Sequence, residues 1–457
     1  MSETICAIAT ATGGALGIVR VSGNDAITIT DKIFSSKKKL RDSKPYTIHY
    51  GKIMDGNDIV DEVLVSVCHT PHSYTGEDTT EITCHGSPYI LQKVLQLLIA
   101  CGCRLAQPGE YTQRAFLNKK MDLSQAEAVA DLIASTSQAS HRLAMNQMRG
   151  GFSKELAALR EKLLHFTALI ELELDFSEED VVFANRNELK SLSNEIASVL
   201  QRLSNSFSVG NAIKNGVPVA IIGETNSGKS TLLNVLVNEE RAIVSEIQGT
   251  TRDVIEDTIN IGGIIFRFID TAGIRETHDR IETMGIERSF KKMDQSEIIL
   301  WMVDANEARE QITRLNAQIE EHSKGKQLIL VLNKCDLLSE GQRENLTPLL
   351  SNYQQIIFIS AKKRLHIDEL QQRLIEAAHL PSVTQNDVIV TNARHYEALT
   401  QALAAIQRVQ QGLADNLSGD FLSQDIRECI YHLNDIAGEV TTDDVLHHIF
   451  KNFCIGK

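Results

Sequence analysis

V217-P-V-A-I-I-G223-E-T-N-S-G228-K229-S230-T231 sets an apolar run ahead of G-x-x-x-x-G-K-S, and T-L-L-N-V-L-V follows at once. The order is strand, loop, helix, the setting a phosphate-binding loop requires. Glycines let backbone N–H groups crowd round phosphate oxygens. Lys229 brings an ammonium to the β- and γ-phosphates, and Ser230 offers a hydroxyl to Mg²⁺. Three further strand ends follow in order. I264-I-F-R-F-I-D270-T-A-G273 places Asp270 where a second Mg²⁺-side carboxylate belongs and Gly273 where an N–H meets the γ-phosphate. L328-I-L-V-L-N333-K334-C335-D336 ends with a carboxylate able to accept both the ring N1–H and the exocyclic amino group of guanine; adenine offers no such pair. I356-I-F-I-S360-A361-K362 closes the set as a lining for the base. These motifs predict a guanine-nucleotide hydrolase on a Ras-like α/β domain.

Outward from this block the texture changes on both sides. Residues 4 to about 118 carry short β-rich runs, T-I-C-A-I-A-T, G-I-V-R-V-S-G and E-V-L-V-S-V, bounded by Gly, Asp and Asn, which predicts an α+β domain. From Asp122 the pattern is helical, with Asp122 and Gln125 or Ser124 and Glu127 spaced to satisfy free N–H groups at a helix start, and it continues to about 206. After Pro381 it is helical again. The expected layout is an amino-terminal α+β domain over 1–118 and a helical domain split between 119–212 and 381–457. The nucleotide-binding domain, 213–380, is inserted between the two helical parts.

The 457 residues are 42% hydrophobic with a net charge of -14, so no basic field covers the molecule and contact with nucleic acid must be local or shared with a partner. None of the eight cysteines forms a C-x-x-C pair, and Cys101 and Cys103 are expected as small buried apolar residues, in keeping with a reducing cytoplasm. Glu3 stands where a signal peptide would carry positive charge, and I298-I-L-W-M-V303 is too short to span a bilayer; neither export nor membrane insertion is expected. Near the end, F453-C-I-G-K457 departs from a prenylation box because Gly456 and Lys457 follow Cys454.

The most informative feature of the G domain is a departure. Many small GTPases carry a water-orienting Gln directly after D-T-A-G; Ile274 stands there and can do no hydrogen-bond work. Hydrolysis must be organised by other groups, of which Asn226, the segment S245-E-I-Q-G-T-T251 and Glu282 are the available ones.

From G-I-V-R-V-S-G through Y-T-G-E-D, P-G-E-Y-T-Q-R-A-F-L-N-K-K-M-D-L, the GTPase motifs and N-A-R-H to the closing C-I-G-K, the sequence resembles the MnmE (TrmE) family of tRNA-modification GTPases. The resemblance implies a folate-binding-like amino-terminal domain that also dimerises. It implies a homodimer whose G domains associate when K⁺ is bound. A heterotetramer is implied with the flavoprotein MnmG, which alone carries FAD. The implied product is an aminomethyl or carboxymethylaminomethyl group at C5 of the wobble uridine of certain tRNAs, in the cytoplasm and without a membrane.

Carried over by position, Asn226, Ser227, Gly228, Lys229, Ser230 and Thr231 bind GTP, as do Ser245, Glu246, Ile247, Gln248, Gly249, Thr250 and Thr251. So do Asp270, Thr271, Ala272 and Gly273, then Asn333, Lys334, Cys335 and Asp336, and finally Ser360, Ala361 and Lys362. Asn226, Ser245, Ile247 and Thr250 become K⁺ ligands, Ser230 and Thr251 Mg²⁺ ligands, and Glu282 orients the attacking water. Arg20, Glu81, Lys120 and Lys457 are implied to contact a one-carbon tetrahydrofolate, 5-formyl- or methylene-, and Cys454 to serve the tRNA chemistry. The alternative is a GTP-dependent assembly switch acting on ribosome or RNA partners without participating in chemistry; it predicts a basic G-x-x-G clamp domain, and no such segment follows the G domain.

Overall fold

The computed structural model describes residues 3–175, 186–241, 257–269, 290–380, 387–440, 442–451, 453 and 456. By backbone contacts the chain divides into two units: residues 1–134, 144–202 and 397–457, and residues 135–143 and 203–396.

The first unit opens with β1 (Ile5–Ile8), β2 (Leu16–Ser22), α1 (Ala26–Ile33), β3 (Phe34–Ser35), β4 (Thr47–Asp55), β5 (Asp58–Cys68), β6 (Thr79–His85), α2 (Pro88–Ala100), β7 (Arg104–Leu105) and α3 (Glu110–Leu117). The strands form one sheet in the order β3-β4-β5-β6-β2-β1-β7, antiparallel except for the β1–β7 pair. Alternation decides its two faces. Val19, Val21, Val63, Val65, Val67 and Ile82 point into a core shared with α1 and α2. On the opposite face, register sets Tyr50 beside Leu64 and Arg20 beside Glu81. That face leaves Leu16, Ile48, Tyr50 and Leu64 exposed.

Helix α4 (Leu123–Ala134) starts at Asp122, which settles the choice between the two capping arrangements: Gln125 N donates to Asp122 Oδ1 at 2.9 Å and Asp122 N to Gln125 Oε1 at 3.0 Å. Ser124 is instead buried and donates to Asp122. Helix α5 (Gln138–Met148) is followed by α6 (Gly151–Asp175) and α7 (Arg186–Asn215). α7 runs to Asn215, past the expected end near 206, and its Gly210 occupies a point of close approach where a Cβ would lie 2.0 Å from Val390 O.

In the second unit β8 (Val217–Ile222), α8 (Lys229–Arg241), β9 (Asp257–Ile261), β10 (Ile264–Phe268), β11 (Ile298–Asp304), α9 (Ala308–His322), β12 (Gln327–Asn333), α10 (Glu340–Leu350), β13 (Ile356–Phe358) and α11 (Ile367–Ala377) follow in turn. The sheet order is β13-β12-β11-β8-β10-β9, parallel but for β9, which joins β10 antiparallel. β11 is buried on both faces: Ile298, Leu300 and Met302 enter one core, Ile299, Trp301 and Val303 the other. That explains why I-I-L-W-M-V reads as a continuous apolar run. β8 lies between β10 and β11, so the chain leaves it in opposite directions along the sheet, and the crevice beyond its carboxyl end is the usual ligand position of such sheets.

Helices α12 (Ala393–Ala414), α13 (Gly419–Ala437) and α14 (Asp443–Phe450) complete the chain. Within the first unit α13 packs on α6, and Leu446 and Phe450 of α14 join Leu123 and Ala126 of α4 in a small core. Among the described residues no helix is long and apolar enough to cross a membrane.

Candidate functional site

The phosphate loop leaves β8 through backbone that side chains resist. Gly223 has φ 147°, and a Cβ there would lie 2.1 Å from Met302 O; Gly228 has φ 100°, and a Cβ would lie 2.0 Å from Asn333 Nδ2. Asn226 sits between them at φ 66°. The loop is thus pressed against the ends of β11 and β12, its turn closed by Ser227 N donating to Glu224 O at 3.3 Å. Lys229 Nζ donates to the carbonyls of Gly223 and Glu224 at 2.8 and 2.7 Å. Burial, assisted by repulsion from Lys292, draws its pKa down to about 8. Ser227 Oγ is buried without a hydrogen-bond partner. A cradle of N–H groups, a desolvated ammonium and an unsatisfied hydroxyl fit an anionic phosphate chain. Ser230 and Thr231 follow in the first turn of α8.

The strand ends beyond β12 and β13 are tied to this loop by Asn333. Its buried amide donates to Ser227 O at 2.8 Å and accepts from Ala361 N at 3.0 Å. A single side chain therefore fixes the phosphate loop relative to the S-A-K segment. Lys334 takes φ 64°, and its ammonium meets Asp304 Oδ2 at 2.6 Å. Cys335 N donates to Ile359 O at 3.0 Å. The Asp336 carboxylate is held below its usual range by a hydrogen bond from Ser360 and by Lys363, whose Nζ is 3.2 Å from Oδ2. Ala361 is buried and Lys362 exposed. Asn333, Lys334, Asp336, Ser360 and Ala361 are thus brought together beside the phosphate loop. Asp304, which orients Lys334, was not legible as a site residue: it is an unremarkable Asp at the end of β11.

In the first unit the structure pairs Arg20 with Glu81 and surrounds the pair. Arg20 Nε and Nη2 meet Glu81 Oε1 at 2.8 and 2.7 Å, and the guanidinium lies 5.8 and 5.6 Å from the rings of Tyr74 and Tyr111. Tyr111 OH donates to Arg20 O at 2.8 Å. Two stretches quoted above, Y-T-G-E-D and P-G-E-Y-T-Q-R-A-F-L-N-K-K, are knit together here. Tyr74 OH lies 2.9 Å from Thr112 Oγ1, Arg114 Nη1 donates to both Glu77 oxygens, and Asn118 Nδ2 donates to Thr75 O at 2.7 Å. Lys120, in the loop after α3, packs against Gly76 of the loop between β5 and β6, its Nζ donating to Pro71 O at 2.9 Å. Tyr74 and Tyr111 are not legible as site residues in the sequence, since only the folding of the loop before β6 and of α3 against β2 brings both rings to Arg20.

Of the remaining expected site residues, Ser245, Glu246, Ile247, Gln248, Gly249, Thr250, Thr251, Asp270, Thr271, Ala272, Gly273, Glu282, Cys454 and Lys457 lie outside the described residues. Among the described residues no cluster of three His, Cys, Asp or Glu could hold a metal ion, and the cysteines are free thiols, with Cys103 buried as expected and Cys101 partly exposed.

Two family models together span nearly the whole sequence: "GTP-binding protein TrmE N-terminus" matches residues 4–120 and "MnmE helical domain" residues 123–454. The chain belongs to the MnmE family. Among MnmE relatives, proteins named tRNA modification GTPase MnmE from Bacteroides fragilis and Bacteroides thetaiotaomicron are 70% and 68% identical, each alignment covering 100% of this chain and 99% of the relative. The MnmE protein of Christiangramia forsetii is 52% identical over 100% of both. The P-loop unit lies within the span of the MnmE helical-domain match, and the Arg20–Glu81 pair within the TrmE amino-terminal match.

Proposed function

We propose that this chain hydrolyses GTP and couples hydrolysis to modification of the wobble uridine of certain tRNAs. The observation that carries the reading is Asn333, whose two hydrogen bonds lock the phosphate loop to the base-side segment. The site's residues divide the work. Backbone N–H groups of 224–229 and Lys229 take the phosphates. Asp336 accepts from the guanine edge, backed by Ser360, while Lys334, steered by Asp304, lies along the base. Glu282 orients the attacking water in place of the absent Gln.

Bound Mg²⁺, held by Ser230 and Thr251, would supply charge neutralisation between the phosphates, and K⁺ at Asn226, Ser245, Ile247 and Thr250 would do so where other GTPases insert an arginine. Asn226 is exposed in the phosphate loop at φ 66°, where its side-chain oxygen is open to a cation. We assign Arg20, Glu81, Lys120 and Lys457 to a one-carbon tetrahydrofolate. A guanidinium and carboxylate between two tyrosine rings fit a flat, N–H-bearing heterocycle with an anionic tail. Cys454 would then serve the uridine chemistry together with an FAD-bearing MnmG partner. The exposed Leu16, Ile48, Tyr50 and Leu64 on the same sheet face support a homodimer through this domain. The domain boundaries proposed are 1–118 for the amino-terminal domain, 119–212 and 381–457 for the two helical parts, and 213–380 for the inserted G domain.

Mass analysis of wobble uridines from cells carrying the Asn333→Ala variant tests the reading. Loss of the C5 modification together with loss of GTP binding supports it; full modification without GTP binding refutes the coupling.

A further inference from the structure

Gly456 is buried, its φ is 97°, and a Cβ on it would lie 2.8 Å from Ile8 O and 2.9 Å from Ala9 Cα. The chain therefore touches the backbone that follows β1 at a point where only glycine fits. Gly456 O accepts a hydrogen bond from Arg20 Nη1 at 2.9 Å. Arg20 cannot swing away without loss, since Glu81 holds its Nε and Nη2 and the two tyrosine rings flank it.

A second point of close approach lies just upstream. Phe453 stacks obliquely on Phe450, ring centroids 5.1 Å apart, and a Cβ on Gly109, at φ 68°, would lie 2.8 Å from both Phe453 Cβ and Phe450 O. Gly109 thus makes room for Phe450 and Phe453, and Gly456, a few residues on, fits against Ile8 and Ala9 only because it lacks a Cβ.

We infer that Arg20 is a positioning residue that fastens the chain at Gly456 onto the amino-terminal sheet, Glu81 acting as the brace that aims its guanidinium. A charge-assisted bond from a braced donor to a backbone carbonyl fixes position without regard to the neighbouring side chains. Cys454 and Lys457 flank Gly456 in sequence, so the seat bears on the roles proposed for them. That consequence rests on the proposed function, whereas the seat itself does not.

Hydrogen exchange of the full-length protein reads the seat directly. Arg20→Ala and, separately, Gly456→Ala are expected to speed exchange of amides in the peptide spanning 450–457 by about tenfold or more, the scale of losing one charge-assisted bond in a locally opening segment. Peptides from β4, β5 and α13 should keep wild-type rates, which certifies the fold. Should Arg20→Ala prove unstable, Gly456→Ala carries the test alone, because it removes no side chain. Wild-type exchange over 450–457 in Gly456→Ala, or in a folded Arg20→Ala variant, overturns the inference. If the segment is freed in Gly456→Ala while wobble-uridine modification persists, the seat stands and the segment's assigned role in the chemistry falls.

Discussion

Lys229 carries its charge at a cost, because burial has brought its pKa to about 8 from the ordinary lysine value. A phosphate beside Nζ favours the ammonium, so GTP binding must take up a proton above about pH 8. Affinity is expected to be flat at lower pH and to fall by up to about tenfold per unit above it. Lys229→Arg, charged throughout, should flatten the profile; titration of a fluorescent GTP analogue across this range checks both. The sign for stability is opposite. Between about pH 8 and 10.4 the unfolded chain holds the proton that the folded, ligand-free site has lost, so this group's contribution to stability rises with pH. At the base end, Asp336→Asn should exchange guanine for xanthine preference, since an amide donates to the carbonyl that replaces the amino group. Competition between GTP and xanthosine triphosphate measures it; unchanged preference for GTP removes Asp336 from the base pocket.

At the scale of elements, the junction of β8, α8 and the end of β12 is one packed object. Gly228→Ala places a Cβ 2.0 Å from Asn333 Nδ2 at φ 100°, so the loop cannot keep its path while Asn333 keeps its bond to Ser227 O. GTP affinity is expected to fall by at least about 100-fold, as when a site loses both backbone donors and a buried hydrogen bond. Isothermal titration checks it, and the melting of the first unit should not move. What the sequence made legible here follows from local physics. The spacing of Gly223, Gly228 and Lys229 requires a turn between strand and helix, and Asp122 with Gln125 requires a helix start. The role of Asn333 as a tie is not legible in the sequence, because its partners stand 106 and 28 residues away and only the parallel order β13-β12-β11-β8 brings them close. The same holds for Tyr74 and Tyr111 round Arg20. Gly210, in the part of α7 beyond the expected end near 206, is a packing notch against Val390 that only the fold reveals.

For the whole molecule, the account requires two chemistries in one chain, and they should separate. Glu282→Ala is expected to lower GTP turnover by at least about 100-fold with affinity nearly intact, the mark of a contact made in the transition state. Replacing K⁺ by Na⁺ should slow the wild type as well; K⁺-independent hydrolysis in a steady-state assay would remove Asn226 and residues 245–251 from cation binding. The central claim, that GTP hydrolysis by this chain serves wobble-uridine modification, is tested most directly by quantitative mass analysis of wobble nucleosides. The tRNA would come from cells lacking the protein and from the same cells given either the wild-type or the Gly228→Ala chain. The account predicts that C5-aminomethyl and carboxymethylaminomethyl uridine disappear in the first, return with the wild type and stay absent with Gly228→Ala. Normal modified uridine in cells lacking the protein, or its full return with a chain that cannot bind GTP, would contradict it.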